Sequence, residues 1–294
     1  MGQDKKSAII KLSLAMLIFG SIGVFRRYIP LSSAWMACVR GIIGTVFLLV
    51  VVALSKKRVD HKAVKKNLFP LLISGAAIGV NWILLFEAYR YTTVAIATLC
   101  YYMAPVIVIL LAPVLLKEKM TVKKSVCAAV AVVGMLLVSG IFDGGATAGG
   151  SGKGILFGLG AAMFYASVVL MNQFIKDISA YDKTIVQLGG AALVVLPYSL
   201  VTSGVQEFTT LTIPQILLLL AVGIIHTGIA YWLYFGSMDK LSGQTVAVYS
   251  YIDPAFAVVL SVLVLREETG ALGMIGAVFI LGSTLFSEWT GKKK

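Results

Sequence analysis

The sequence is poor in charged residues. Asp, Glu, Lys and Arg make up 13% of its 294 residues, whereas 59% are hydrophobic. Soluble domains average about 25% charged and about 45–50% apolar residues, and the mean hydropathy here is +0.94. These values exclude a water-soluble domain of ordinary composition and indicate a chain that lies mostly in lipid.

Cysteine and histidine are also scarce. The three cysteines, Cys38, Cys100 and Cys127, each fall in an apolar run without CxxC spacing. Such cysteines are typical of small buried side chains rather than of disulfides or metal ligands. The two histidines are far apart, and the motifs HExxH and GxSxG are absent. We therefore expect no metal, no cofactor and no enzymatic activity.

Ten apolar runs follow one another along the chain, each close to the roughly 20 residues that span a bilayer. Each is predicted to be a helix, because backbone polar groups in lipid must be satisfied within their own segment. The predicted fold class is an all-α membrane protein with ten transmembrane helices. The runs are 8–28, 33–54, 68–90, 94–116, 125–142, 154–175, 184–202, 214–238, 244–265 and 271–289.

Basic residues are distributed unequally between the two sets of loops. If the N terminus lies inside, the inner segments hold 19 Lys and Arg residues and the outer segments hold 5. Since cytoplasmic loops carry the excess of basic residues, both termini are predicted to be cytoplasmic, in the cell membrane (inner or plasma). The net charge of +12 is then explained by topology, without nucleic acid as a partner.

The two halves of the chain match each other. Residues 102–105 (YMAP) pair with 251–254 (YIDP) at an offset of 149, and 116–118 (LKE) then pair with 265–267 (LRE) without a gap. Because each half holds an odd number of helices, the second must cross the membrane in the opposite direction. This predicts two inverted five-helix repeats, an arrangement that recurs in secondary transporters.

The predicted boundary between the repeats is rich in glycine. Residues 143–153 read as a flexible linker between a first repeat, 1–142, and a second repeat, 154–294. The linker is not a nucleotide-binding loop, because Thr147 and Gly154 stand where GxxxxGK[ST] requires Gly and Ser or Thr. Near the start of each repeat, Arg40 occupies the place of Gln187 at an offset of 147.

The repeated motif resembles a known family. A proline within an apolar run, followed by Leu-x-Glu, stands here as APVIVILLAPVLLKEKMT and DPAFAVVLSVLVLREETG, which resembles the EamA-type family of the drug/metabolite transporter superfamily. The segment 19–21 (FGS) followed by Arg40 is also similar. The resemblance covers essentially the whole chain and implies an ATP-independent transporter, such as an exporter of amino acids or other metabolites. Asp253, and Cys127 in place of a usual Gly, depart from the pattern.

The two equivalent prolines, Pro105 and Pro254, are predicted to be hinges. A proline inside a helix frees the carbonyl four residues earlier, here that of Tyr101 or Ser250. In membranes such irregular backbone is tolerated where it lines protein or water. We expect both prolines to lie beside a cavity at the middle of the membrane, a simple kink being the alternative.

Charges within the apolar runs are costly, at about 2.5–3.5 kcal/mol each at a helix centre. Asp253 is predicted to bind a substrate amine or to take up and release a proton. Arg40 is predicted to hold neighbouring helices through backbone carbonyls, a substrate carboxylate being the alternative. Glu87 either pairs with Arg90 at the membrane surface or serves coupling. His226 lies at the depth of Asp253, as a satisfied hydrogen-bonding group or as a ligand.

Aromatic and amide side chains also concentrate at midplane, too deep for the interfacial aromatic belt. Asn172 is one of them. The predicted substrate-binding set is Asn81, Trp82, Tyr101, Tyr102, Tyr165, His226, Tyr231, Tyr249, Tyr251 and Asp253. Such a pocket would suit an amine through cation–π contacts.

These features predict a secondary active transporter that exports a small amine-bearing metabolite (an amino acid, a derivative or an organic cation) by alternating access. A passive channel or lipid scramblase is the first alternative, and a membrane-embedded enzyme the second. The expected partners are the lipid bilayer, a small-molecule substrate, a coupled proton or ion, and a second copy of the chain in a homodimer.

Overall fold

The computed structural model describes residues 3–55, 59–115, 121–138, 151–238, 240–241, 246, 249–268 and 270–288. Within these residues, all of the regular secondary structure is helical. The predicted all-α fold class is therefore confirmed. Most of the predicted linker, residues 143–150, lies outside the described part of the chain.

The first half of the chain contains seven helical segments. They are α1 Gln3–Tyr28, α2 Ser33–Leu54, α3 His61–Lys66, α4 Leu68–Tyr91, α5 Val94–Tyr101, α6 Ala104–Leu115 and α7 Val122–Val138. The second half begins at α8, and its third membrane-length segment combines two α-helices with a π-helical stretch. Its elements are α8 Gly152–Asn172, α9 Ala180–Thr202, a 3-10 helix Gln206–Thr210, α10 Ile213–Ala221, a π-helix Val222–Ile229, α11 Ala230–Met238, α12 Ile252–Leu263 and α13 Ala271–Glu288.

These elements occupy the ten predicted apolar runs. Seven helical segments of the described chain are long and apolar enough to cross a membrane, and Ile252–Leu263 and Ala271–Ser283 are shorter apolar helices. Large apolar side chains cover the outside of the bundle: Leu54 is 78% exposed and Val201 is 87% exposed. Because such a surface is unstable in water, the chain is a multi-pass membrane protein.

Several helices begin at polar caps. Ser32 accepts a hydrogen bond from the backbone N–H of Trp35 at the start of α2. Thr93 accepts from the N–H of Ile96 at the start of α5. Since the first N–H groups of a helix have no partner within it, these hydroxyls allow the chain to re-enter the membrane after a short connection.

Equivalent helices of the two halves make equivalent contacts with the opposite half. Helix α1 packs against α11 and α12 of the second half, and α8 packs in the same way against α4 and α5 of the first half. Two further contacts join equivalent helices directly, α2 with α9 and α7 with α13. This pattern is the one that two five-helix repeats related by a pseudo-two-fold axis produce.

Glycines permit the closest of these contacts. A Cβ at Gly276 would lie 2.5 Å from the backbone oxygen of Gly134, where α13 meets α7. A Cβ at Gly75 would lie 2.6 Å from the oxygen of Gln187, where α4 meets α9. Small residues let transmembrane backbones approach in this way. Gly75 of α4, Gly134 of α7 and Gly276 of α13 therefore serve packing within the chain.

Candidate functional site

Two broken helices meet at the centre of the bundle. Helix α5 ends at Tyr101 and α6 begins at Ala104, so Pro105 stands in the first turn of a new segment. Pro254 likewise stands in the first turn of α12, which begins at Ile252. The first N–H groups of a helix are unpaired in any case, so proline is tolerated there. The prolines thus follow breaks in the helices instead of kinking continuous ones.

A hydrogen bond ties the two breaks together. The hydroxyl of Tyr102 donates to Oδ2 of Asp253 over 2.8 Å, and it lies 3.5 Å from the carbonyl oxygen of Ser250. Ser250 carries the carbonyl that Pro254 leaves without a helical donor. Asp253 is partly buried and lies in the first turn of α12, where the helix dipole favours a negative charge.

Gly20 brings a third helix against this point. A Cβ on Gly20 would overlap the carbonyl oxygen of Asp253. Only glycine lets α1 approach the first turn of α12 so closely. The backbone around Asp253 is therefore enclosed by α1 on one side and by the break between α5 and α6 on the other.

Tyrosines predicted from the sequence surround Asp253. Tyr101 contacts Tyr102 at a ring-centroid distance of 5.9 Å and Tyr165 at 5.3 Å. Tyr102 also lies 6.4 Å from Tyr251. Tyr165 is 41% exposed, so this cluster has an open side. Helices α5, α8 and α12 thus contribute the tyrosines that the sequence placed at midplane.

A second aromatic group extends from this cluster along α11. Tyr231 packs edge-to-face on Phe19 at 5.3 Å and stacks on Phe235 at 5.6 Å. Tyr231 and Tyr101 both pack against the core cluster that contains Trp82 and Phe86. The two aromatic groups therefore share one core, and Arg40 and Asp253 form no ion pair with each other in the described part of the structure.

Arg40 is 4% exposed and has three contacts. Its Nε donates to Oγ1 of Thr227 over 3.2 Å, and its Cζ lies 4.1 Å above the ring of Trp82 and 5.5 Å above that of Phe86. Arg40 thus contacts neighbouring helices through a hydroxyl and two rings, and backbone carbonyls, which were expected from the sequence, are not among its contacts in the described part of the structure. Arginine is suited to ring faces because its guanidinium is planar and weakly hydrated.

His226 and Thr227 lie on the π-helix. The Nε2 of His226 is 2.9 Å from the hydroxyl of Ser21, and its ring packs on Phe25 at 4.5 Å. The hydroxyl of Thr227 donates to the carbonyl of Val222, five residues earlier, over 3.2 Å. A π-helical turn inserts one residue and re-aims the side chains around it. His226 is 1% exposed, and its Nδ1 has no hydrogen-bond partner in the described part of the structure.

Two of the predicted polar residues, Asn81 and Asn172, bind other helices. The amide of Asn81 is 2% exposed and donates to the carbonyl of Ala161 over 2.6 Å. Gln187 donates to both Ser74, over 2.7 Å, and Asn172, over 2.8 Å. These bonds join α4, α8 and α9. Asn81 and Asn172 are thereby engaged in packing, and Trp82 lies beneath Arg40 with 5% of its surface exposed.

Tyr249 lies away from the tyrosine cluster. It packs against a cluster that contains Val246 and two residues of the N-terminal half of α1, Leu12 and Met16. Tyr249 and Tyr251 are predicted to lie at nearly the same depth in the membrane, but residues two positions apart on a helix point in different directions. Their predicted depth therefore does not show which of them faces the cluster.

A polar cluster closes the face opposite the N terminus, called here the distal face. Glu267 accepts from Arg27 over 2.5 Å, from the N–H of Val94 over 2.7 Å, and from the hydroxyl of Ser261. It thus caps α5 from the segment that follows α12. Glu87 pairs with Arg90 over 3.0 Å nearby, the interfacial arrangement that their spacing predicts. An open cavity of about 460 Å³ lies here, lined by Arg27, Arg90 and Glu267 among others.

The sequence did not reveal this role of Glu267, or the involvement of Ser21 and Thr227. Glu267 is recognisable only as part of the repeated Leu-x-Glu motif, and its partners lie 173 and 240 residues away in the chain. Ser21 and Thr227 are small polar residues within apolar helices, which is a weak signal.

Broken helices and buried charges at the centre of an apolar helix bundle are typical of multi-pass transport proteins. The sequence model of the EamA-like transporter family matches residues 6–140 and again residues 152–289. The chain therefore belongs to the EamA-like transporter family, and the resemblance inferred from its motifs is confirmed. The two matched regions also coincide with the two halves that exchange helix contacts.

Relatives and a solved structure agree with this assignment. The chain is 32% identical over 278 residues to the protein named Uncharacterized transporter YxxF of Bacillus subtilis, covering 95% of this chain and 88% of that protein. It is 27% identical to Protein PecM of Dickeya dadantii, covering 74% and 73% of the two chains. A solved crystal structure with 18% identity superposes with a TM-score of 0.66 over 96% of both chains, which supports the fold alone.

Proposed function

We propose that this transporter exports a small amine-bearing metabolite by secondary active transport, with Asp253 as the group that binds the amine. The observation that carries the proposal is a partly buried carboxylate at the junction of two broken helices, beside tyrosines with an open side. Transporters of this kind place substrate sites where interrupted helices of two repeats meet.

The surroundings of Asp253 favour a cationic ligand. Its carboxylate has a hydrogen bond from Tyr102 but no basic partner among the described side chains. A carboxylate within the membrane is costly unless it is paired or protonated. A substrate ammonium would supply the missing charge, and the faces of Tyr101 and Tyr165 would add cation–π attraction.

Alternating access would use the two breaks as points of flexure. Both lie between short helical segments, so the segments on either side can tilt without breaking a continuous hydrogen-bond ladder. The distal cluster around Glu267 would hold that side closed in this conformation. We assign the distal face to the outside and both termini to the cytoplasm of a cell membrane, because that places most basic residues inside.

The energy source and the assembly belong to the same proposal. A proton would compete with the amine for Asp253, so an inward proton gradient would drive export by exchange.

A passive channel or scramblase is the alternative, since the same helix breaks could line a continuous path. A homodimer is compatible with the apolar outer surface of the bundle.

The test is counterflow in proteoliposomes. Purified wild type, Asp253→Asn and Asp177→Asn are reconstituted, and uptake of labelled amines and amino acids is measured with unlabelled solute inside. We expect wild type and the surface control Asp177→Asn to show trans-stimulated uptake that responds to a pH gradient, and Asp253→Asn to lose it. Thermal unfolding in detergent shows whether Asp253→Asn is folded, and Asp253→Glu, which keeps the charge, should recover part of the uptake.

Normal uptake by a folded Asp253→Asn variant would contradict the assignment of the amine site. Uptake without trans-stimulation by wild type would favour a channel, because only a carrier is accelerated by solute on the opposite side. Scrambling of labelled lipid by wild type without solute transport would favour the scramblase.

A further inference from the structure

The guanidinium of Arg40 is a buried charge without a counter-ion. It is 4% exposed, and no carboxylate within the described residues forms an ion pair with it. Buried charges in membrane proteins normally pair with one another or with backbone carbonyls. Arg40 instead has the hydroxyl of Thr227 and the faces of Trp82 and Phe86.

The geometry leaves one edge of the guanidinium free. Its flat face lies on Trp82, and Nε is used by Thr227. The remaining in-plane donors are on Nη1 and Nη2, for which no hydrogen-bond partner exists among the described side chains. These two nitrogens form the fork that binds a carboxylate through two parallel hydrogen bonds.

Arg26 provides a contrast within the same fold. It is 6% exposed and also lacks an ion pair with any described residue, but its Nη1 donates to the carbonyl of Ile29 over 2.8 Å and its Nη2 lies 3.5 Å from the hydroxyl of Ser33. These contacts stabilise the connection between α1 and α2, so Arg26 is structural. Arg40 has no such contacts for its terminal nitrogens.

The free edge of Arg40 shares its surroundings with Asp253. Tyr101 and Tyr231 both pack against the core cluster that contains Trp82 and Phe86, the two rings beneath Arg40. Tyr101 also contacts Tyr102, whose hydroxyl donates to Asp253. Aromatic side chains therefore link a cationic group to an anionic one, and those of α5 and α11 could accommodate an apolar portion between the two charged ends of a solute.

We propose that Arg40 binds the carboxylate of a zwitterionic substrate whose amine is bound by Asp253, so that the site selects amino-acid-like zwitterions over simple amines. This inference rests on the proposed function, and it adds the residue that determines specificity. The two charges of the ligand then compensate the two charges that the protein buries separately.

The test compares solutes that differ by one carboxylate. Phenylalanine with phenethylamine, leucine with isoamylamine, and lysine with cadaverine are matched pairs. For each pair, the ratio of the two inhibition constants is measured by competition in the counterflow assay. We expect wild type to prefer the zwitterion in a pair that fits the site. Arg40→Gln should reduce that preference by roughly 10- to 100-fold, as expected for lost charge-assisted hydrogen bonds.

Arg40→Lys keeps the charge but lacks the planar fork, so its preference should be intermediate. If Arg40→Gln does not fold, the Lys variant decides the question by the same ratio. An unchanged ratio in a folded Arg40 variant, or equal affinity of wild type for both members of every pair, would overturn the inference. Transport of simple amines that depends on Asp253 would still support the proposed function, so the two failures are distinguishable.

Discussion

Equivalent positions of the two halves differ most where charge is involved. Arg40 on α2 corresponds to Gln187 on α9, which donates its amide hydrogens to Ser74 and Asn172. Asp253 corresponds to Ala104, which is 2% exposed and lies at the start of α6. Gln187 has hydrogen-bond partners on α4 and α8, and Ala104 has no polar side chain, whereas the charges of Arg40 and Asp253 have no ion-pair partner among the described residues. We propose that these departures from symmetry mark the ligand site and that the neutral positions belong to the scaffold.

The backbone departs from symmetry at the same place. Helix α4 is continuous from Leu68 to Tyr91, whereas its second-half counterpart contains the π-helix Val222–Ile229. That stretch carries Thr227, the hydrogen-bond partner of Arg40. Since π-helical turns cost stability and occur frequently at functional sites, this one is best explained by the need to position Thr227 and His226.

The largest effect on stability is expected from Gly20→Ala. The added methyl group would overlap the carbonyl of Asp253, so α1 must move away from α12 at a cost of about 3 kcal/mol. Gly158 lies at the corresponding contact of α8 with α5, where a Cβ would be 2.7 Å from the Cβ of Cys100. Gly158→Ala should cost less, because the overlap at that contact is smaller than at Gly20. Thermal unfolding in detergent measures both.

Gly282→Ala is the control for that comparison. Nothing lies within 4 Å of a Cβ at this position on α13. Alanine there should be neutral or slightly stabilising, because it favours helix over glycine. A loss of stability at Gly282 as large as at Gly20 would contradict the explanation from close packing.

Gln187→Leu should destabilise the protein by about 2 kcal/mol while preserving substrate binding. The substitution leaves Ser74 and Asn172 without their shared donor in the interior. Unfolding in denaturant gives the stability, and the half-saturation constant for uptake gives the binding. A variant of normal stability with impaired binding would reverse the assignment of Gln187 to the scaffold.

Tyr102→Phe removes the hydrogen bond that joins the two helix breaks. Loss of a bond to a charged acceptor should reduce stability by about 1 kcal/mol and weaken the positioning of Asp253. Tyr198→Phe, on a side chain that is 51% exposed, provides the matched control and should be silent. If the two variants behave alike, the Tyr102–Asp253 bond contributes nothing.

The smallest effect concerns a surface pair far from the site. The hydrogen bond from Lys66, over 2.9 Å, lowers the pKa of the Asp177 carboxyl. The small stabilisation is therefore present above the ordinary pKa of aspartate and is lost as pH falls through the lowered value. Asp177→Asn should flatten this acid dependence of the unfolding temperature without changing transport. A change in transport would contradict its use as a control.

Hydropathy and the internal repeat predicted the helices, the broken segments and the charge at Asp253. This was possible because the length of an apolar run and the hydrogen bond that a proline removes depend only on residues that are close in the sequence. The direction of side chains was less predictable. Asn81 and Tyr101 lie at similar depth, but one binds α8 and the other lines the tyrosine cluster. Uniformly apolar helices have no polar stripe that marks their buried face. The π-helix and the cap by Glu267 depend on long-range packing, which no sequence motif encodes.

Ligand-induced stabilisation tests the central claim most directly, because a ligand that binds the folded state raises the unfolding temperature by an amount that grows as its concentration exceeds its Kd. Wild type, Asp253→Asn and Gln187→Leu are compared in detergent with the same panel of amines and amino acids. The account predicts that the solute that stabilises wild type also stabilises Gln187→Leu, from a lower starting temperature, and does not stabilise Asp253→Asn. Equal shifts in wild type and Asp253→Asn, or a shift lost only in Gln187→Leu, would contradict it.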